Sequence, residues 1–94
     1  MNIKINNNYS LKSDKYNIIL VKKVLDDNGD VVVNKDGKES ETNVGYYSDV
    51  SKALDALVDY EIKTATIESF EELKRKYTEL KDIVSEINEK LSDN

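Results

Sequence analysis

The 94-residue chain contains no cysteine and no histidine. The first absence excludes disulfides and thiolate zinc sites. The second removes the commonest general base and the commonest metal ligand, so any catalysis would fall to carboxylates, lysine, tyrosine and serine. With only three glycines, the chain also lacks a phosphate-cradling glycine loop, a dinucleotide fingerprint and a nucleophile elbow. These absences argue against an enzyme and against a bound metal or cofactor. Long apolar runs are missing too: nowhere do the roughly 18 consecutive apolar residues needed to cross a bilayer occur. The N-terminal Met1-Asn2-Ile3-Lys4 opens an alternating pattern rather than an export signal. A cytoplasmic protein with no membrane partner is expected.

Positive charge is also short, with 14 basic against 19 acidic residues and a net charge of −5. General binding to DNA or RNA backbones is therefore not expected, because neutralising phosphates needs a basic surface. Hydrophobic residues at 38% and charged residues at 35% fit one globular domain, residues 1–94, with a modest core. A chain this short hides a smaller fraction of its surface on folding than a large domain does, so association is a natural source of further burial.

Ile3 and Ile5 alternate with polar neighbours, Asn6-Asn7-Asn8 supplies a turn, and Tyr9 and Leu11 resume the alternation, which predicts a hairpin. The β-branched run from Tyr16 to Leu25 is apolar on both faces at Ile18 to Val21 and reads as a central strand. Turn clusters at Asp26-Asp27-Asn28-Gly29-Asp30 and Lys35-Asp36-Gly37-Lys38 flank Val31-Val32-Val33, and Thr42 to Tyr47 returns as a strand. The first cluster approaches a calcium loop in composition, but its glycine is out of register and no glutamate stands at the twelfth position. The expected fold is α+β: an antiparallel meander of four to five strands over 1–47, with a variable hairpin at 26–42, and then two helices.

The pattern changes period at Ser48, a candidate N-cap. Val50, Ala53, Leu54, Leu57, Val58 and Ile62 share one helical face, giving a first helix over 48–63. Ser69-Phe70-Glu71-Glu72 fits a capping box and starts a second helix over 69–91. Along it Phe70, Leu73, Tyr77, Leu80, Val84, Ile87 and Leu91 step at spacings of three and four, as a and d positions of a heptad. Lys74, Lys76, Lys81 and Lys90 flank this stripe at e and g, so an identical partner helix would set like charges together. Asp55, Asp59 and Glu61 of the first helix suit it better and predict a helical hairpin. At 1.5 Å per residue the first helix runs about 21 Å and the second about 33 Å. The far end, Val84 to Leu91, is thus expected to overhang and to require a second chain, with Tyr77, Leu80, Val84, Ile87 and Leu91 as an oligomer interface.

Six tyrosines accompany a single phenylalanine. They either cover a thin core with their hydroxyls in solvent or stack a planar ligand. Lys74-Arg75-Lys76 includes the chain's one arginine and is either a solvated face or a phosphate holder. On the ligand reading, Tyr46, Tyr47, Lys74, Arg75 and Tyr77 are the candidate binding residues.

Val44-Gly45-Tyr46-Tyr47, Ala53-Leu54, Leu57, Glu61-Ile62, Ser69-Phe70-Glu71-Glu72-Leu73 and the opening Ile3-Lys4-Ile5-Asn6 resemble a group of small phage and prophage accessory proteins of low-GC Gram-positive bacteria. The stretch from Asp26 to Thr42 departs from that resemblance. It implies a counter-defence role in the host cytoplasm, since small phage proteins of this build are similar to ones that sequester cyclic-nucleotide immune signals between subunits or block a defence nuclease in the manner of anti-CRISPR proteins. A homo-oligomer holding a small nucleotide is the first expectation. Inhibition of a host defence protein through an acidic surface at Asp26 to Glu41 is the second, and a structural or assembly role in the phage the third.

Overall fold

In a computed structural model, the backbone is described for residues 1–92 and the side chains for residues 1–90. The chain is α+β: strands β1 (Asn2–Lys4), β2 (Tyr9–Ser13), β3 (Ile18–Lys23) and β4 (Glu41–Tyr47) precede helices α1 (Val50–Thr64) and α2 (Phe70–Ser92). It divides into two compact units, Met1–Ala53 and Leu54–Asn94. Among the described residues no helix is long and apolar enough to cross a membrane.

The first unit is an antiparallel meander in sequence order, β1-β2-β3-β4. Its reversals share one device, an Asp or Asn whose Oδ1 accepts backbone N–H groups a few residues on, a local bond that competes with strand pairing and turns the chain. Asn6 accepts from Asn8 and Tyr9, both at 2.9 Å, between β1 and β2. Asp14 accepts from Tyr16 at 2.9 Å and Asn17 at 2.7 Å between β2 and β3, and these N–H groups hold its carboxyl below its ordinary pKa.

Register places Ile3 opposite Leu11, Leu11 opposite Leu20 and Leu20 opposite Gly45, one row across four strands. Leu11 and Leu20 are fully buried, as is nearly all of Tyr9. Lys22, directly opposite Tyr9, lays its ammonium 5.8 Å from the tyrosine ring centroid, so its aliphatic stem shields the ring. Alternation gives the other face to Asn2, Lys4, Ser10, Lys12 and Lys23, with Ile19 and the buried Val21 among them on β3. In β4 the pairing jumps from Gly45 to Asn43, so Val44 is an extra residue, a β-bulge.

Between β3 and β4 the chain makes two hairpins of one eight-residue pattern: Val24-Leu25-Asp26-Asp27-Asn28-Gly29-Asp30-Val31, then Val32-Val33-Asn34-Lys35-Asp36-Gly37-Lys38-Glu39. Their bonds match position for position. Leu25 bridges Val31 as Val33 bridges Glu39. Asp26 Oδ1 accepts from Asn28 and Asp30 as Asn34 Oδ1 accepts from Asp36 and Lys38. At the hairpins' common root the backbone closes a ring: Val32 N–H donates to Val24, Ser40 N–H to Val32, and Val24 N–H to Ser40, at 2.9, 2.7 and 2.9 Å. The expected variable hairpin is thus a doubled unit.

Helix α1 is capped by Asp49, whose Oδ1 accepts from Lys52 N–H at 2.8 Å, rather than by the expected Ser48. A carboxylate there also faces the positive end of the helix dipole. Ser48 Oγ instead accepts from Lys52 Nζ at 3.0 Å. At α2 the Ser69 hydroxyl accepts from Glu72 N–H at 3.1 Å, as a capping box requires, while the Glu72 carboxylate reaches Glu68 N–H at 3.2 Å instead of that of Ser69.

Gly29 and Gly37 have φ of +83° and +78°, where an L side chain meets its own carbonyl. Gly29→Ala and Gly37→Ala should each lower unfolding free energy by about 1 kcal/mol. The double variant should show the sum, because the two turns share no partner. Urea denaturation of the three variants measures both statements.

Candidate functional site

Three surfaces bear on function, one on the sheet and two on α2. On the polar face of the sheet an open cleft of about 520 Å³ is walled by Lys4, Lys12, Lys23, Glu39 and Glu41, with Asn6, Asn7 and Ser10 at its margin. Its centre is a three-strand ion pair network. Glu41 of β4 accepts from Lys12 of β2 at 2.8 Å through one carboxylate oxygen and from Lys23 of β3 at 2.7 Å through the other. The hydrogen bonds from Lys12 and Lys23 hold the Glu41 carboxyl below its ordinary pKa, and the bond to Glu41 raises that of Lys23. Three ammonium groups against two carboxylates give the cleft a small positive excess within an acidic chain. It offers hydrogen bonds and charge.

The tyrosines expected to stack a ligand are arranged otherwise. Tyr46 and Tyr47 are successive residues of a strand and so point to opposite faces. Tyr46 is exposed, and its hydroxyl accepts from Asn43 Nδ2 at 2.9 Å, a pairing that the Val44 bulge makes possible by bringing positions 43 and 46 onto one face. Tyr47 is half-buried and folds back over Gly45, where an added Cβ would run into its ring. Its ring thus lies along its own strand.

Lys74, Arg75 and Lys76 do not form one cluster. Successive helical residues point about 100° apart, so the three fan over about 200° of the circumference. Arg75 and Lys76 border a hollow of about 260 Å³ beside the turn at Ala65, Thr66 and Ile67, and they share it with Glu72 and Glu79, whose carboxylates compete with any phosphate. Lys76 Nζ stands 3.6 Å from Glu61 Oε2, tying the start of α2 to the end of α1. That contact is of the kind expected from the acidic residues of the first helix. Tyr46 and Tyr47 lie in the first unit, and Lys74, Arg75 and Tyr77 in the second.

The apolar stripe of α2 is covered in its second half and bare in its first. Leu80, Val84 and Ile87 are buried within the single chain. Phe70, Leu73 and Tyr77 are 73%, 36% and 49% exposed. The expected overhang at the far end is not seen: Leu80, Val84 and Ile87 are covered within the chain, and among the described residues of the expected interface only Tyr77 is open. Leu91 lies outside the described side chains. Heptad spacing shows that these residues share a face but not which stretch of it is covered, so Phe70 and Leu73 were not among the expected interface residues. The Lys12, Lys23 and Glu41 network was also not anticipated, although strand parity places all three on one face.

Among the described residues no group of three or more potential metal ligands occurs. Comparison with protein-family models, curated proteins and solved structures finds no match to this chain.

The Glu41 contribution to stability is complete above the ordinary carboxylate pKa and is lost as pH falls through the lowered folded value. That of Lys23 is complete below the ordinary lysine pKa and is lost as pH rises through its raised folded value. Glu41→Gln should therefore lower the thermal midpoint by about 3 °C at neutral pH, and the difference from wild type should vanish in acid. Differential scanning fluorimetry across pH, in low and high salt, reads this directly.

Proposed function

We propose that this chain is a non-enzymatic accessory protein that works by binding another protein, with the first half of α2 as its docking face. The bare apolar stripe at Phe70, Leu73 and Tyr77 carries this reading. Exposed apolar side chains scattered singly are ordinary, whereas three on one helical face over two turns form a contact surface. Helix-in-groove and helix-on-helix recognition use this i, i+3, i+7 spacing.

The resemblance to phage accessory proteins supplies the setting, in which docking would block a host defence protein or hold a phage protein in an assembly. Sequestering a small nucleotide has weaker support, because Tyr46 and Tyr47 face opposite ways and the Lys-Arg-Lys run fans around its helix. A homo-oligomer is also less supported, since its main argument was the uncovered far end of α2.

Two variants test the reading. Phe70→Ser with Leu73→Ser should lower the unfolding free energy by about 1 kcal/mol, nearly all of it from the partly covered Leu73, and leave the chain folded. A photo-crosslinking residue in place of Tyr77, in cells producing the full chain, should give one discrete adduct that the double variant abolishes. The same residue in place of Tyr16, which is 78% exposed, should give none. Equal adducts from both positions, or none from position 77, would overturn the docking face.

A further inference from the structure

Charge is sorted on α2. In its first two turns and the turn that follows, the residues beside the apolar stripe are Lys74 and Lys81 at e and Lys76 at g. The acids Glu71, Glu72, Glu79 and Asp82 all stand at the b, c and f positions, away from it. Of the residues of α2 itself, only cations border the bare face of Phe70, Leu73 and Tyr77. Lys81 Nζ leans over Tyr77 at 5.9 Å from the ring centroid, which keeps one ammonium at the edge of the patch. Lys76 is already met by Glu61 of α1, an acidic residue of a neighbouring helix in contact with a flanking lysine.

We infer that the occupant of this face is an amphipathic helix of a different protein, apolar along one side and bordered by glutamate or aspartate, an inference that rests on the docking role proposed above. Flanking charges in helix pairs set partner choice more than affinity. A second copy of α2 fits poorly. Parallel pairing would put Lys76 against Lys81 of the other copy, and antiparallel pairing would put Lys74 and Lys76 against their own equivalents. Like charges in those positions exclude a wrong partner. An anionic membrane surface also has lysines to meet, but the acids on the remaining face and the chain's net charge of −5 oppose adsorption. The surface accordingly selects an acidic helix and rejects itself.

The test uses the full chain and two labelled synthetic peptides of about three heptads, both with leucine at a and d, one with glutamate and one with lysine at e and g. Fluorescence anisotropy should show the acidic peptide binding at least about tenfold more tightly than the basic one, with an affinity that falls as salt rises. Leu73→Ser should abolish binding. Lys74→Glu with Lys81→Glu should reverse the preference while leaving the thermal midpoint unchanged. Equal affinity for the two peptides, no binding of either, binding to phosphatidylglycerol vesicles in their place, or a dimer by light scattering that Leu73→Ser dissociates would each overturn the proposal. A discrete adduct from position 77 without charge preference among peptides would remove only the stated partner chemistry. Absence of both adduct and peptide binding would remove the docking face itself.

Discussion

The row Ile3, Leu11, Leu20, Gly45 is the constraint on which the first unit depends. Because strand side chains alternate with period two, sliding β2 by a single residue would move Leu11 from the buried row onto the face of Lys12. The same slip would carry Lys12 the other way and break the network at Glu41. Strand β3 buries a side chain on each face, Leu20 and Val21, so its register leans more on the partners of Lys23 and on Leu11 opposite. Burial on one side and ion pairing on the other therefore enforce one register from opposite faces. The hydrophobic term dominates, since burying a leucine side chain contributes about 2 kcal/mol and exposed ion pairs contribute little each. Gly45 completes the row by leaving space for the Tyr47 ring, which restores the apolar cover that a glycine lacks.

The two strand pairings that flank Leu20 differ in tolerance. That with β2 is regular throughout, whereas that with β4 is broken by the Val44 bulge. A bulge twists an edge strand and interrupts its row of outward N–H and C=O groups, which discourages another chain from adding to it. The bulge thus interrupts the outer edge of β4, while α2 leaves Phe70, Leu73 and Tyr77 open to solvent. On α2 lysines stand beside the seam and carboxylates behind it.

Much of the architecture could be read from the residues. Order and type of the elements followed from the change of period at residue 48, and the start of α2 from Ser69 and Glu72. Finer choices were not legible, for identifiable reasons. Ser48 and Asp49 are both good N-caps in adjacent positions, and only the path of the backbone out of β4 decides between them. The run from Asp26 to Thr42 reads as turns, but the ring joining Val24, Val32 and Ser40 is made of backbone bonds that any residue except proline could form, so composition does not announce it. The heptad of α2 defines a face continuous over six turns, whereas cover along that face is a property of tertiary placement. For the same reason the candidate site shifted from Val84 and Ile87 to Phe70, Leu73 and Tyr77. The lysine borders, by contrast, were visible in the sequence, and one of them, Lys76, meets Glu61 of the first helix as expected.

The ring at the root of the two hairpins makes the segment between β3 and β4 modular. Each eight-residue unit returns the chain to an equivalent position, Val24, Val32 and Ser40 in turn, with the N–H of each new position bonded to the carbonyl of the last. Removing one unit would leave the two ends of an ordinary antiparallel pair, and adding one would enlarge the ring by a single member. In either case β3 and β4 would meet in the same register. The segment is thus organised in steps of eight residues, and its two charged tips stand apart from the ladder that joins β3 to β4.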